Sequence, residues 1–156
     1  MCSSDPPLEP PFARSGTRPQ LKLGEPTPAG AKLRLYTTMA TWCTACKREL
    51  TQVERLRSAF PSDSLAMFGV PVDPDDGLEK LNGFLAQYHP AYELLLDLTA
   101  DQKSSVEQVV QAALKGEGLP ATILTDAGGR VLRTMWGVPS ISEVRQLLRE
   151  AGQTQP

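Results

Sequence analysis

The sequence predicts an α/β fold: a mixed central sheet with helices on both faces. Three observations carry that expectation. Apolar strand-like runs alternate with amphipathic helical stripes through most of the chain. The first strand runs are separated by helical stripes, so they need crossovers and hence parallel pairing. The last two strand runs are separated only by Asp126-Ala127-Gly128-Gly129, a hairpin signal.

Leu33 to Met39 is an apolar run that reads as the first core strand. Cys46, Leu50, Val53, Leu56 and Phe60 then recur at helical spacing, and Pro61 stops that helix. Ser64 to Val72 reads as a second buried strand, and Pro71, Pro74, Asp75, Asp76 and Gly77 make a turn. Leu78, Leu81, Leu85 and Tyr88 mark the next helix, which ends near His89-Pro90.

Tyr92 to Leu98 has room for a short strand. Ser104 and Glu107 have capping-box spacing ahead of the stripe Val106, Val109, Val110, Ala113 and Leu114, and Gly116 and Gly118 end that helix. Ala121 to Thr125 and Arg130 to Trp136 form the hairpin. Ser140 and Glu143 again match a capping box, and Ile141, Val144, Leu147 and Leu148 give a closing helix. The order is β-α-β-α-(β)-α-β-β-α.

Residues 1 to 30 differ from this pattern. They hold seven of the 14 prolines and read as a flexible tether, with Leu21 and Leu23 as one short strand at the domain edge. The domain proper spans residues 31–152, and residues 153–156 read as a disordered tail. At 156 residues the chain is long enough for one domain with its own core. A formal net charge of −2 gives no reason to expect a nucleic-acid partner. No apolar run approaches the length of a membrane span.

The chemistry lies in Trp42-Cys43-Thr44-Ala45-Cys46. Two thiols at this spacing can close a small disulfide ring and reopen it. They fall between the first strand and the first helix, where a helix N-terminus favours a thiolate. A structural zinc would want four good ligands. The chain has three cysteines and one histidine, and no second close cysteine pair, so zinc is a poor reading and no metal site is expected. Met39, Met67 and Met135 sit in strand runs and read as core.

The segment Ala40 to Leu50 resembles the thioredoxin superfamily, and within it the TlpA/ResA-like extracytoplasmic thiol-disulfide oxidoreductases. A second block, Gly118 to Asp126 followed by Gly129-Arg130-Val131, is similar as well. The resemblance implies a thioredoxin-like fold with a helix/strand segment inserted between the CxxC half and the cis-proline half. It implies Cys43 as the attacking thiol and Cys46 as the resolving one, so the disulfide itself is the redox group and no further cofactor is expected. It implies that Trp42, Leu119 and Pro120 meet the substrate, with a cis bond before Pro120 and substrate pairing along that edge. Glu49 takes the place of a glutamate that tunes the thiols and handles their proton. Thr37 stands where cytoplasmic thioredoxins carry an aspartate. Thr51 stands where many relatives carry a helix-kinking proline, which implies a straighter helix.

Lys47 and Arg48 read as solvated helix residues, His89 as a helix-end or surface residue, and Trp136 as packing. Cys2, followed by Ser3, Ser4 and Asp5, resembles the start of a mature bacterial lipoprotein; lipid on Cys2 would hold the domain at a membrane and the tether would give it reach.

The expected activity is thus reduction of disulfides in periplasmic or other extracytoplasmic proteins. The expected partners are those proteins and a membrane electron donor, with the chain a monomer. Two alternatives come from the same superfamily. A Sco-like copper module is suggested faintly by Gly69 to Pro74, but Sco-like proteins use CxxxC and a downstream histidine. A thiol peroxidase would want a threonine three residues before its cysteine, where Ala40 stands.

Overall fold

The computed structural model describes residues 18–23 and 31–154. The elements run β1 (Leu33–Met39), α1 (Thr44–Arg48), α2 (Leu50–Ala59), β2 (Leu65–Pro71), α3 (Leu78–Tyr88), β3 (Glu93–Leu94), α4 (Ala100–Leu114), β4 (Ala121–Asp126), β5 (Val131–Trp136) and α5 (Ile141–Thr154). The five strands form one mixed sheet in the order β3-β2-β1-β4-β5. β1 pairs parallel to β2 from Leu33↔Leu65 to Met39↔Pro71, and β2 pairs parallel to β3. β1–β4 and β4–β5 are antiparallel. This is the expected α/β thioredoxin-like architecture, and α3 with β3 is the segment between the CxxC half and the proline half.

Period-2 alternation sorts the central strands onto two cores. Leu33, Leu35 and Met39 of β1 join Leu124, Val53, Leu56, Phe84 and Val144 on one face. Tyr36 joins Phe68, Ile123, Val106 and Val110 on the other, and stacks on Phe68 at 5.4 Å. Burial on both faces explains why β1 and β2 read as continuous apolar runs. No helix among the described residues is long and apolar enough to cross a membrane.

Four details differ from the sequence reading. The first helix is two segments meeting at Glu49, whose ψ of −9° lies well short of the helical value near −42°. The ladder opens there although Thr51 is not proline. Helix α4 begins at Ala100, not near Ser104, because Thr99 and Gln102 form the capping box: the Gln102 N–H donates to Thr99 Oγ1 and the Thr99 N–H to Gln102 Oε1. Ser104 lies one turn inside. Leu21 and Leu23 form no strand; Gln20 makes an isolated bridge to Arg130, and both leucines are buried in the second core. Helix α5 runs to Thr154, into the expected tail. The rest of the tether, Cys2 included, lies outside the described residues.

The second expected capping box is present. The Ser140 N–H donates to Glu143 Oε1 at 2.8 Å and the Glu143 N–H to Ser140 Oγ at 3.1 Å.

Candidate active site at the strand-to-helix junction

β1 delivers the chain to the C-terminal edge of the parallel strands. Ala40 to Trp42 then turn it, with the Cys43 N–H donating to the Ala40 carbonyl at 3.1 Å. Cys43 is the N-cap of α1, in extended conformation, and its Sγ accepts from the Cys46 N–H at 3.1 Å. That donor has no earlier carbonyl to serve, as at any helix start, so it is free to stabilise sulfur charge. Cys43 and Cys46 form a disulfide across a Cα–Cα distance of 5.2 Å. The pair is the redox group of the protein.

The two sulfur-bearing residues are equally buried, at 5% exposure each. What separates them is the space each one faces. Cys43 lines an open groove together with Trp42, Thr38 and Leu119. Cys46 lines a small interior cavity with Glu49, Tyr92, Pro120 and Val138. That cavity, about 10 Å³, is at the lower limit for a single water. Cys46 Sγ also approaches the Thr38 carbonyl at 3.9 Å.

Glu49 is half-buried at the joint of α1 and α2, and its Oε1 accepts from the Val138 N–H at 3.2 Å. It shares the cavity with Cys46. Tyr92 lies there too, and burial pushes its phenol well above its ordinary value. The phenol therefore stays protonated through the working range and can offer a hydrogen bond but does not exchange its proton. The Lys47 ammonium lies over the Tyr88 ring, 5.4 Å from its centroid. His89 caps α3 in the left-handed region, as a helix-end residue. Met39 and Met67 are core, and Met135 packs against it.

The proline side closes onto the same point. The Leu119–Pro120 bond is cis. The Pro120 carbonyl accepts from the Gly137 N–H at 2.8 Å. Thr38 Oγ1 accepts from the Ala121 N–H at 2.8 Å and lies 3.3 Å from the Ala121 carbonyl. One buried hydroxyl thus replaces the ladder pairing beyond Thr37↔Thr122. Trp136 is 44% exposed, and its ring covers the turn before the proline: a Cβ placed on Gly118 would lie 3.3 Å from it.

Three residues that position the site were not singled out from the sequence: Thr38, Asp73 and Asp76. Asp76 is buried and receives both hydrogen bonds of Thr41, from its N–H at 2.7 Å and its hydroxyl at 2.6 Å. Asp73 receives the Trp42 indole N–H at 2.6 Å. The Asp75 N–H and then the Trp42 N–H hold the Asp73 carboxyl below its ordinary value. Asp76 reads in the sequence only as turn chemistry, and Asp73 only as part of the stretch Gly69 to Pro74. An acidic loop leaving the C-terminal end of β2 must adjoin the loop leaving β1, because the two strands are parallel neighbours. Among the described residues, no group of three or more His, Cys, Asp or Glu is placed to hold a metal ion.

A thioredoxin-like sheet carrying a disulfide-forming cysteine pair at its strand-to-helix junction defines a thioredoxin-like redox protein. The chain belongs to the AhpC/TSA family, whose sequence model matches residues 20–134. Solved structures with the same fold include a thio-disulfide isomerase from Thermus thermophilus, at 24% identity and a TM-score of 0.60, covering 78% of this chain and 80% of that one. A thiol:disulfide interchange protein of the thioredoxin family from Chlorobium tepidum has 18% identity and a TM-score of 0.60, covering 78% and 81%. StoA from Bacillus subtilis has 21% identity and a TM-score of 0.55, covering 78% and 84%.

Proposed function

We infer that the protein is a TlpA/ResA-like thiol-disulfide oxidoreductase that reduces disulfides of extracytoplasmic proteins. The observation that carries this reading is the division of the disulfide between two spaces: Cys43 faces the groove and Cys46 the interior. The Cys43 thiolate attacks a substrate disulfide, forms a mixed disulfide, and expels one substrate sulfur with its electron pair. The Cys46 thiolate then attacks Cys43 Sγ and expels the second. Two electrons leave the dithiol, the substrate gains two thiols, and the Cys43–Cys46 disulfide must be reduced again by a donor.

Trp42, Leu119 and Pro120 receive the substrate beside Cys43, and Glu49 takes and returns the proton of Cys46 through their shared cavity. A monomeric domain in the bacterial periplasm, tethered to a membrane by lipid at Cys2, would meet both its donor and its targets. The likeness to a thiol:disulfide interchange protein supports the chemistry proposed for this chain.

A thiol peroxidase is the weaker reading within the same family. Ala40 stands where such an enzyme would want a threonine, and Cys43 is paired within its own turn. Copper handling is also a weaker reading, since the pair is CxxC rather than CxxxC and no histidine follows His89.

The test is reduction of a protein disulfide such as insulin by the reduced protein, with peroxide as the rival substrate. Stoichiometric reduction lost in Cys43→Ser supports the assignment. Fast peroxide consumption with insulin untouched contradicts it.

A further inference from the structure

The groove at Cys43 has a volume of about 670 Å³, within the range of a site that takes several side chains. Its base is apolar: Val106 and Val110 of α4 are buried there. Its charged lining consists of two carboxylates, Glu107 and Glu117, both exposed. No lysine or arginine lines it, and neither glutamate forms an ion pair among the described residues. Gly116 and Gly118 also line the groove, and the Trp136 ring packs where their side chains would be.

Resting on the exchange chemistry above, we propose that this groove selects an extended cysteine-bearing segment in which an apolar residue and a lysine or arginine flank the reacting cysteine. The apolar side chain covers Val106 and Val110. The cation reaches Glu107 and Glu117, whose unpaired charges favour it and oppose an anionic thiol. Protein segments of that kind are the matching substrates; small acidic disulfides are not.

The chemistry balances with a coloured leaving group. Short single-cysteine peptides are prepared as mixed disulfides with nitrothiobenzoate, alike except for a lysine, a glutamine or a glutamate near the cysteine. Glutathione carrying the same group is the anionic small-molecule probe. The full-length protein is reduced with a dithiol and freed of it. Cys43 attack and Cys46 resolution then release one nitrothiobenzoate thiolate and one peptide thiol per protein, whichever sulfur is struck first, and leave the Cys43–Cys46 disulfide.

The lysine peptide is expected to react roughly ten-fold faster than the glutamate peptide at low salt. That ratio falls to near one in the double variant Glu107→Gln, Glu117→Gln. It also falls in about 1 M salt, where screening acts within ~3 Å. A ratio near one in the wild-type protein overturns the substrate assignment alone. So does a ratio that survives in the double variant, or glutathione reacting as fast as the lysine peptide. Release from none of the probes overturns the exchange reading and the assignment with it.

Discussion

The Trp42 indole N–H is bonded to Asp73 at 2.6 Å, so the residue before the reactive cysteine is tied to a loop 31 positions away. The contact is at the surface, and its charge state is open to pH. Asp73 is held below its ordinary value of 3.8 by the Asp75 N–H and by Trp42. A carboxyl depressed in the folded state contributes its preference fully above the unfolded value and loses it as pH falls through the folded one. Trp42 emission, followed in a Trp136→Phe background, should therefore stay flat down to about pH 4 and change only below it. The change should be absent in Asp73→Asn. A transition near neutral pH would contradict this origin.

Asp76 serves the neighbouring residue from inside the loop. Asp76→Ala leaves the Thr41 N–H and hydroxyl without their shared partner. The expected cost is about 1–3 kcal/mol, read as a lower urea midpoint at unchanged slope. Cys43 should also react more slowly with a disulfide probe, because the turn that presents it is released. An unchanged midpoint would contradict a stabilising role for this clamp.

Thr38 joins the cysteine half to the proline half. Thr38→Val keeps the shape but removes both contacts with Ala121 and strands a buried N–H. A loss of roughly 1–3 kcal/mol is expected, with faster hydrogen exchange at the Ala121 amide. Protection unchanged at that amide would mean that another group holds it.

Two glycines should respond in opposite directions to the same substitution. A Cβ at Gly69 would fall inside contact distance of the Tyr92 ring, with its Cδ1 at 2.9 Å. Gly69→Ala should cost about 1–3 kcal/mol by overpacking. Gly83 lies within α3 with nothing within 4 Å of its would-be Cβ, and Gly83→Ala should stabilise by about 0.5–1 kcal/mol. Thermal unfolding of both variants reads the contrast; a shared sign would contradict it.

The order of strands and helices was legible because each element buries a regular apolar stripe, as Leu33, Leu35 and Val53, Leu56 do. The cysteine pair was legible in its local spacing, and Pro120 in the resemblance of the block around it. Thr38, Asp73 and Asp76 were not, because their partners arrive through sheet topology rather than through neighbouring sequence. The start of α4 was misplaced because the Ser104 and Glu107 spacing points to a capping box there, whereas Thr99 with Gln102 forms it in the fold. The break at Glu49 had no sequence mark, since no proline or glycine stands there; the Glu49 carboxylate at the joint accepts from the distant Val138 N–H.

The central claim is that Cys43 attacks from the groove and Cys46 resolves from the interior. Mass spectrometry of complexes trapped on a disulfide-bonded substrate protein tests it most directly. The account predicts that Cys46→Ser accumulates a mixed disulfide on Cys43, and that Cys43→Ser accumulates none. A stable adduct on Cys46 in Cys43→Ser, with none in Cys46→Ser, would contradict it.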